Sequence, residues 1–319
     1  MSDESSVLIS SLIPPRASGA KPSLIPFFTM YLVTGATGQL GSRIVQQLKL
    51  HDLPVRSFVR LMSDFAELEY RGSEIFIGDL TQQRDIEKAM QGVQFVISAH
   101  GGASQILNYR VNIDLIDAAK SAGVQHFVFI SVLGVDRAYE DAPVFKAKRE
   151  VEKYLQASGL TYTILRPSGL ASNLLPLAEQ FRQTGIYLLI GDRQHRTSII
   201  STDDLARIAI DSTTIPAAQN QIFAVGSDEI LPREAVPKIF GRIFDREPII
   251  INPPLPVFDA LRGLIGVVST NTREDLGTLR ALLANEFYVT PTEAAQLESI
   301  YGFQLERLEA YLRRNLGAV

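Results

Sequence analysis

Three glycines spaced by three, Gly35, Gly38 and Gly41, stand between an apolar run, Met30–Val33, and a segment of helical period, Ser42–Lys49. Glycine suits a chain that must turn sharply or let its backbone approach a ligand. Gly35 permits the tight turn, Gly38 lets the backbone reach a pyrophosphate, and Gly41 lets the helix pack on the strand. The free N–H groups and positive end of that helix would face the anion. The pattern therefore predicts a dinucleotide cradle formed by Gly35, Thr37, Gly38, Gln39, Leu40 and Gly41. A glycine-rich turn without a ligand is the alternative.

A second set of residues tests which nucleotide is held. The run Pro54–Arg60 reads as the next strand, and it ends in Arg60 with no carboxylate before Asp64. An acidic residue at this place would take a ribose 2′-OH, whereas a guanidinium grips a 2′-phosphate through two parallel hydrogen bonds. NADP(H) is favoured over NAD(H), and a solvated strand-end arginine is the competing reading. Asp79 and Leu80 follow a third strand, where Asp79 suits an adenine amino group or a turn in equal measure. Ala99 and His100 follow a fourth, whose small residues let backbone approach the cofactor. His100 could pass protons, though a surface or hydrogen-bonded structural histidine is the better reading.

These residues need a scaffold that collects strand ends. Strands expected at 54–60, 74–77, 93–98, 125–130 and 161–165 alternate with helices at 63–71, 81–90, 104–122 and 144–157. Such alternation implies right-handed crossovers and an α/β fold, a doubly wound parallel Rossmann sheet with ligands at the carboxyl ends of its strands. Beyond Pro167 the alternation weakens. Short strands are expected at 186–190, 196–200, 221–225 and 248–251, with a helix capped by Thr202. Thr290–Glu293 forms a capping box that opens a final helical stretch. Residues 30–165 thus read as the dinucleotide-binding domain and 166–319 as a smaller α+β lobe for substrate or partner.

Residues 1–29, rich in Pro, Gly and Ser, read as a disordered or loosely attached tail. Translation starting at Met30, with the tail as an upstream extension, is one reading. A targeting peptide is disfavoured by Asp3 and Glu4.

The chain has 319 residues, of which 46% are hydrophobic and 21% charged, as expected of an ordinary globular protein. A net charge of −4 gives no pull towards nucleic acid. The absence of cysteine excludes disulfides, thiol catalysis and iron–sulfur clusters, and the four histidines show no metal-ligand spacing. No apolar run reaches transmembrane length. A cytoplasmic location is expected, the oligomeric state is open, and no G-x-S-x-G elbow suggests a hydrolase.

Three segments carry a family resemblance: Thr34–Gly41, Gly123–Gly134 and Leu160–Asn173. Together they resemble the atypical short-chain dehydrogenases/reductases, and within them the NmrA-like NAD(P)H-binding group. That group includes small-molecule reductases, non-catalytic cofactor-sensing regulators, and plastid and cyanobacterial factors that assist photosystem II assembly. The resemblance implies a substrate-side serine at Ser131 and a nicotinamide-passing segment beginning at Pro167. Typical members use Tyr-x-x-x-Lys, in which the lysine lowers the tyrosine pKa for proton transfer. Lys148 falls where that lysine belongs, but Val144 occupies the tyrosine position, and none of the ten tyrosines precedes a lysine by four. Lys148 also resembles the lysine of isoflavone-reductase-like enzymes, which do without the tyrosine. Its competing reading is one charge among many on the solvated face Lys146–Lys153.

Three outcomes stay open. Lys148 handles the proton or orients the nicotinamide ribose; another group such as Tyr139, His100 or Ser131 supplies it; or the protein binds NADP(H) without turnover. The favoured expectation is an NADPH-dependent reductase passing hydride to a small acceptor such as a quinone, an enone or an activated ether. The alternative is a regulator or assembly factor acting on a protein partner.

Overall fold

The computed structural model describes residues 29–101, 108–137, 139, 142–268 and 270–317. The expected tail, apart from Thr29, and residues 104–107 of the expected helix lie outside the described residues. The first strand, β1 (Met30–Thr34), shows why a parallel sheet forms. Tyr31, Leu32 and Val33 are all fully buried, because both faces of the strand are covered. Alternate side chains enter two different cores. Tyr31 and Val33 meet Ile44, Val45 and Leu48 of α1 (Gln39–Leu50) and Leu205 and Ile208 of a later helix. Leu32 meets Val111, Leu115, Val151 and Leu155 on the opposite side.

With β1, the strands β2 (Val55–Val59), β3 (Glu74–Ile77), β4 (Val93–Ser98), β5 (His126–Ile130), β6 (Tyr162–Pro167) and β9 (Gln221–Val225) make up the main sheet. All seven run parallel, in the order β3-β2-β1-β4-β5-β6-β9. The order reverses between β1 and β4, the switch point at which such sheets open a crevice for ligands. Helices α2 (Ala66–Tyr70), α3 (Gln83–Ala89), α4 (Arg110–Ser121) and α5 (Pro143–Ala157) connect successive strands. This is the expected doubly wound Rossmann sheet.

The sheet does not end where the alternation of the sequence weakens. β9 pairs in parallel with β6, from Thr163 opposite Gln221 to Pro167 opposite Val225, so the sheet draws on both sides of residue 165. Between them lie α6 (Leu175–Thr184), β7 (Ile186–Leu188), β8 (Arg196–Thr197) and α7 (Thr202–Asp211). The cap of α7 is Ser201, not Thr202: the Ser201 hydroxyl accepts from the Asp204 N–H, while Thr202 Oγ1 accepts from the Ser172 N–H. After β9 come β10 (Leu231–Pro232), α8 (Ala235–Phe244), β11 (Ile249–Ile251), α9 (Leu255–Val268) and α10 (Thr270–Ala284). Two short sheets, β8 with β10 and β7 with β11, and a separate core around Phe181, Phe240 and Tyr311 lie outside the main sheet. α11 (Pro291–Tyr301) opens with the expected capping box, Thr290 and Glu293 satisfying each other's N–H groups. α12 (Leu308–Leu316) follows, with Leu308 and Leu312 buried on one face.

Candidate functional site

Parallel strands deliver all their carboxyl ends to one edge, and the expected residues gather there. Gly35 follows β1, Arg60 follows β2, Asp79 and Leu80 lie just past β3, Ala99 and His100 follow β4, Ser131 follows β5, and Pro167 ends β6. Lys148 reaches the same edge from α5, where its Nζ donates to the Ile130 carbonyl at 2.7 Å.

The glycine turn is built as its spacing predicts. Gly35 has φ +70°, and a β-carbon there would meet the His100 backbone at 2.7 Å. A β-carbon at Gly41 would collide with the Gly35 carbonyl oxygen, so the first turn of α1 sits directly on the strand's exit. Gly38 caps α1 with no side chain over the helix end, and its own N–H donates to Gly35 O at 2.9 Å. Thr37, Gly38 and Gln39 are exposed, whereas Leu40 turns its side chain into the core. An uncovered helix N-terminus behind a turn without side chains fits a dinucleotide pyrophosphate.

Arg60 is exposed, and its guanidinium has no carboxylate or hydrogen-bond partner among the described residues. Asp79 acts as a turn residue: one carboxylate oxygen accepts from the Thr81 N–H at 2.8 Å, and the side chain stays exposed. Leu80 is buried in the core beside α3 and supplies packing. Ala99 N–H donates to Thr34 O, tying the ends of β1 and β4. His100 is buried, with Nδ1 at 2.8 Å from Thr34 Oγ1 and Nε2 at 3.3 Å from the Asn112 amide. Both ring nitrogens are thus engaged within the protein. Tyr139 packs edge-on against Phe145, with ring centroids 5.2 Å apart.

The charged run Lys146–Lys153 divides by helical phase. Lys146, Glu150 and Lys153 are exposed, while Lys148 and Glu152, one turn apart, are buried. Burial pushes the Lys148 ammonium down from 10.5 to about 8, against an opposing pull from Glu152. Lys148 Nζ also stands 5.0 Å over the Phe129 ring. Two further residues escape a reading of the sequence alone. Glu152 Oε1 accepts the Ser131 hydroxyl at 2.5 Å, and Arg166 grips Glu152 at 3.0 and 2.6 Å. Spacing of four from Lys148 is the one signal that could have singled out Glu152; Arg166 gives none, since its partner is fourteen residues away in sequence. A further cross-chain bond joins Ser172 Oγ to Gln39 Oε1 at 2.7 Å, linking the segment after Pro167 to the start of α1.

Fold and cradle together define a dinucleotide-binding Rossmann protein. Residues 35–216 match the family described as NAD(P)H-binding, and the chain belongs to that family. It is 33% identical over 205 residues to an NAD(P)H azoreductase of Xenophilus azovorans, covering 63% of this chain and 69% of that one. It is 27% identical over 304 residues to a photosystem II assembly factor, Ycf39, of Guillardia theta, covering 90% and 94%. Among solved structures, it shares its fold with an NADPH-dependent quinone oxidoreductase of Escherichia coli complexed with NADPH. There the TM-score is 0.71 and identity 20%, with 90% and 100% of the two chains covered. No helix among the described residues is long and apolar enough to cross a membrane.

Proposed function

We propose that this chain is an NADPH-dependent reductase that passes hydride to a small organic acceptor, a quinone, an enone or an activated ether, with Lys148 as the proton donor. The observation that carries this reading is the Lys148 ammonium: buried at the strand ends, with a pKa of about 8 that suits an acid at neutral pH. Support comes from relatives and fold neighbours whose names describe azo and quinone reduction. Bound NADPH supplies the hydride. Gly35, Thr37, Gly38, Gln39, Leu40 and Gly41 hold the pyrophosphate, Arg60 takes the 2′-phosphate, Asp79 the adenine amino group, and Ala99, His100 and Pro167 line the nicotinamide's path. Lys148 then gives one proton to the reduced acceptor and recovers one from solvent. Val144 offers no hydroxyl, so acceptors whose reduction needs little polarisation of a carbonyl, such as quinones, are favoured over simple ketones.

Titration of NADPH and NADH by calorimetry, with NADPH oxidation across quinones, enones and aldehydes, tests this. Tight NADPH binding with turnover of a quinone or enone is expected. A second reading rests on the missing tyrosine and on the nearly full-length likeness to an assembly factor. Under it the chain binds NADP(H) and uses occupancy to bias a conformation presented to a protein partner. Tight binding with no turnover of any acceptor would favour that reading.

A further inference from the structure

At the end of β5 the residue Ser131 is 4% exposed, and its hydroxyl has one proton to give. It gives that proton inward, to Glu152 Oε1 at 2.5 Å. Glu152 is 2% exposed and cannot turn away, because Arg166 holds both its oxygens, Nε to Oε1 at 3.0 Å and Nη2 to Oε2 at 2.6 Å. Arg166 is itself anchored on β6 and leans towards Asp136, Nη1 to Oδ2 at 3.5 Å. A buried carboxylate gripped by a guanidinium fork is a fixed acceptor, so the hydroxyl facing it is a fixed donor. What Ser131 has left for anything bound beside it is lone pairs.

We propose that Glu152 and Arg166 are positioning residues that set the polarity of Ser131, so that Ser131 meets a bound acceptor as a hydrogen-bond acceptor and the site prefers compounds presenting an O–H or N–H there. This rests on the reading of the strand ends as a reductase site. It adds a selection rule to it. The two groups that would polarise a carbonyl are both lost, the tyrosine through Val144 in the sequence and the serine through its geometry. Ser131 instead favours the hydroxyl of a reduced quinone or the N–H of a reduced azo compound over the oxidised group.

The substitution Glu152→Gln reverses this arrangement. Its amide oxygen stays on the shorter contact, with Arg166 Nη2, while its NH2 takes the place of Oε1, gives up the Arg166 Nε bond and faces Ser131. The serine then accepts from the amide and turns its own proton outward. The test is calorimetry on the protein with NADP+, using a methyl-substituted hydroquinone and the quinone derived from it. Wild type is expected to bind the hydroquinone about tenfold more tightly, in keeping with one hydrogen bond to a buried group. Glu152→Gln is expected to reverse the preference, and Ser131→Ala, which removes only a hydroxyl, to abolish it. In the double variant the reversal disappears, because Glu152 acts through Ser131; a merely structural Glu152 would leave the preference unmoved. An unchanged preference in either single variant, no preference in wild type, or no binding of either compound would overturn the proposal. Failure of the reductase reading shows separately, as absence of NADPH oxidation by wild type with every acceptor.

Discussion

Gly35 lies so close over His100 that a β-carbon on the glycine would meet His100 Cα and N at 2.7 Å. The contact joins the turn after β1 to the turn after β4, the two neighbours at the sheet's switch point. With φ at +70°, Gly35 is required both by its own backbone and by its neighbour. Gly35→Ala is expected to destabilise the fold by about 2–4 kcal/mol through strain and overpacking together. Thermal melting checks this, and an unchanged midpoint would contradict the close contact.

Gly38 is a different case, with an ordinary φ of −79° and only the Gly35 carbonyl oxygen near its missing β-carbon, at 3.1 Å. Gly38→Asp should fold, yet place charge and bulk where the pyrophosphate sits. Loss of NADPH binding with a melting temperature near wild type is the expected result, and intact affinity would remove the cradle assignment.

The Arg60 side chain, unpartnered among the described residues, reads the 2′-phosphate in the proposed site. Arg60→Ala is expected to weaken NADPH by about a hundredfold, as for a charge-assisted bidentate contact, and NADH by much less. Equal losses for the two cofactors, measured by titration, would assign Arg60 no part in the discrimination.

In the proposed site Lys148 couples activity to pH, and its burial couples stability to pH. Turnover carried by its ammonium should fall as pH rises through about 8. Replacing it by Met should lower kcat about a hundredfold, the usual scale of general acid catalysis, with NADPH affinity little changed. The folded pKa is lowered from 10.5 to about 8. Across that window the unfolded chain keeps a proton that the folded chain has lost, so stability rises with pH there. Lys148→Met should remove this contribution to the slope, which melting curves between pH 7.5 and 10.5 would reveal.

His126 sets an acid limit. Thr163 gives its hydroxyl proton to Ala218 O at 2.7 Å, so its oxygen accepts from His126 Nε2 at 2.8 Å and the ring stays neutral. Burial lowers its pKa from 6.5 to about 4. Between those values the unfolded chain binds the extra proton, so stability is lost as pH falls from about 6.5 towards 4. His126→Gln keeps an N–H donor without the titration, and its melting temperature should fall less between pH 7 and pH 5. Asp204, raised to about 6 by burial, acts in the opposite sense in both proteins and cancels in the comparison.

Legibility in the sequence followed the range of the interactions. β3, β4 and β9 have the bounds that their apolar runs imply, and the Thr290 capping box formed as written, because both depend on neighbours in the chain. Placement was a different matter. Nothing local in Gln221–Val225 says that it completes the main sheet beside β6 across more than fifty intervening residues. Ser201 caps α7, while Thr202 takes the Ser172 N–H, a partner thirty residues away that no local reading reveals.

By itself the sequence determined the cradle, the strand-end arginine and the lost tyrosine. Glycine spacing, the end of an apolar run and the absence of a hydroxyl are properties of a few consecutive residues. Tertiary structure decided the rest of the site: that His100 is tied to Thr34 and Asn112, that Lys148 and Glu152 leave the charged face of α5 for the interior, and that Arg166 closes on Glu152. Those relationships depend on which strand ends the sheet brings side by side, and on how burial strips water from groups that a linear reading leaves solvated.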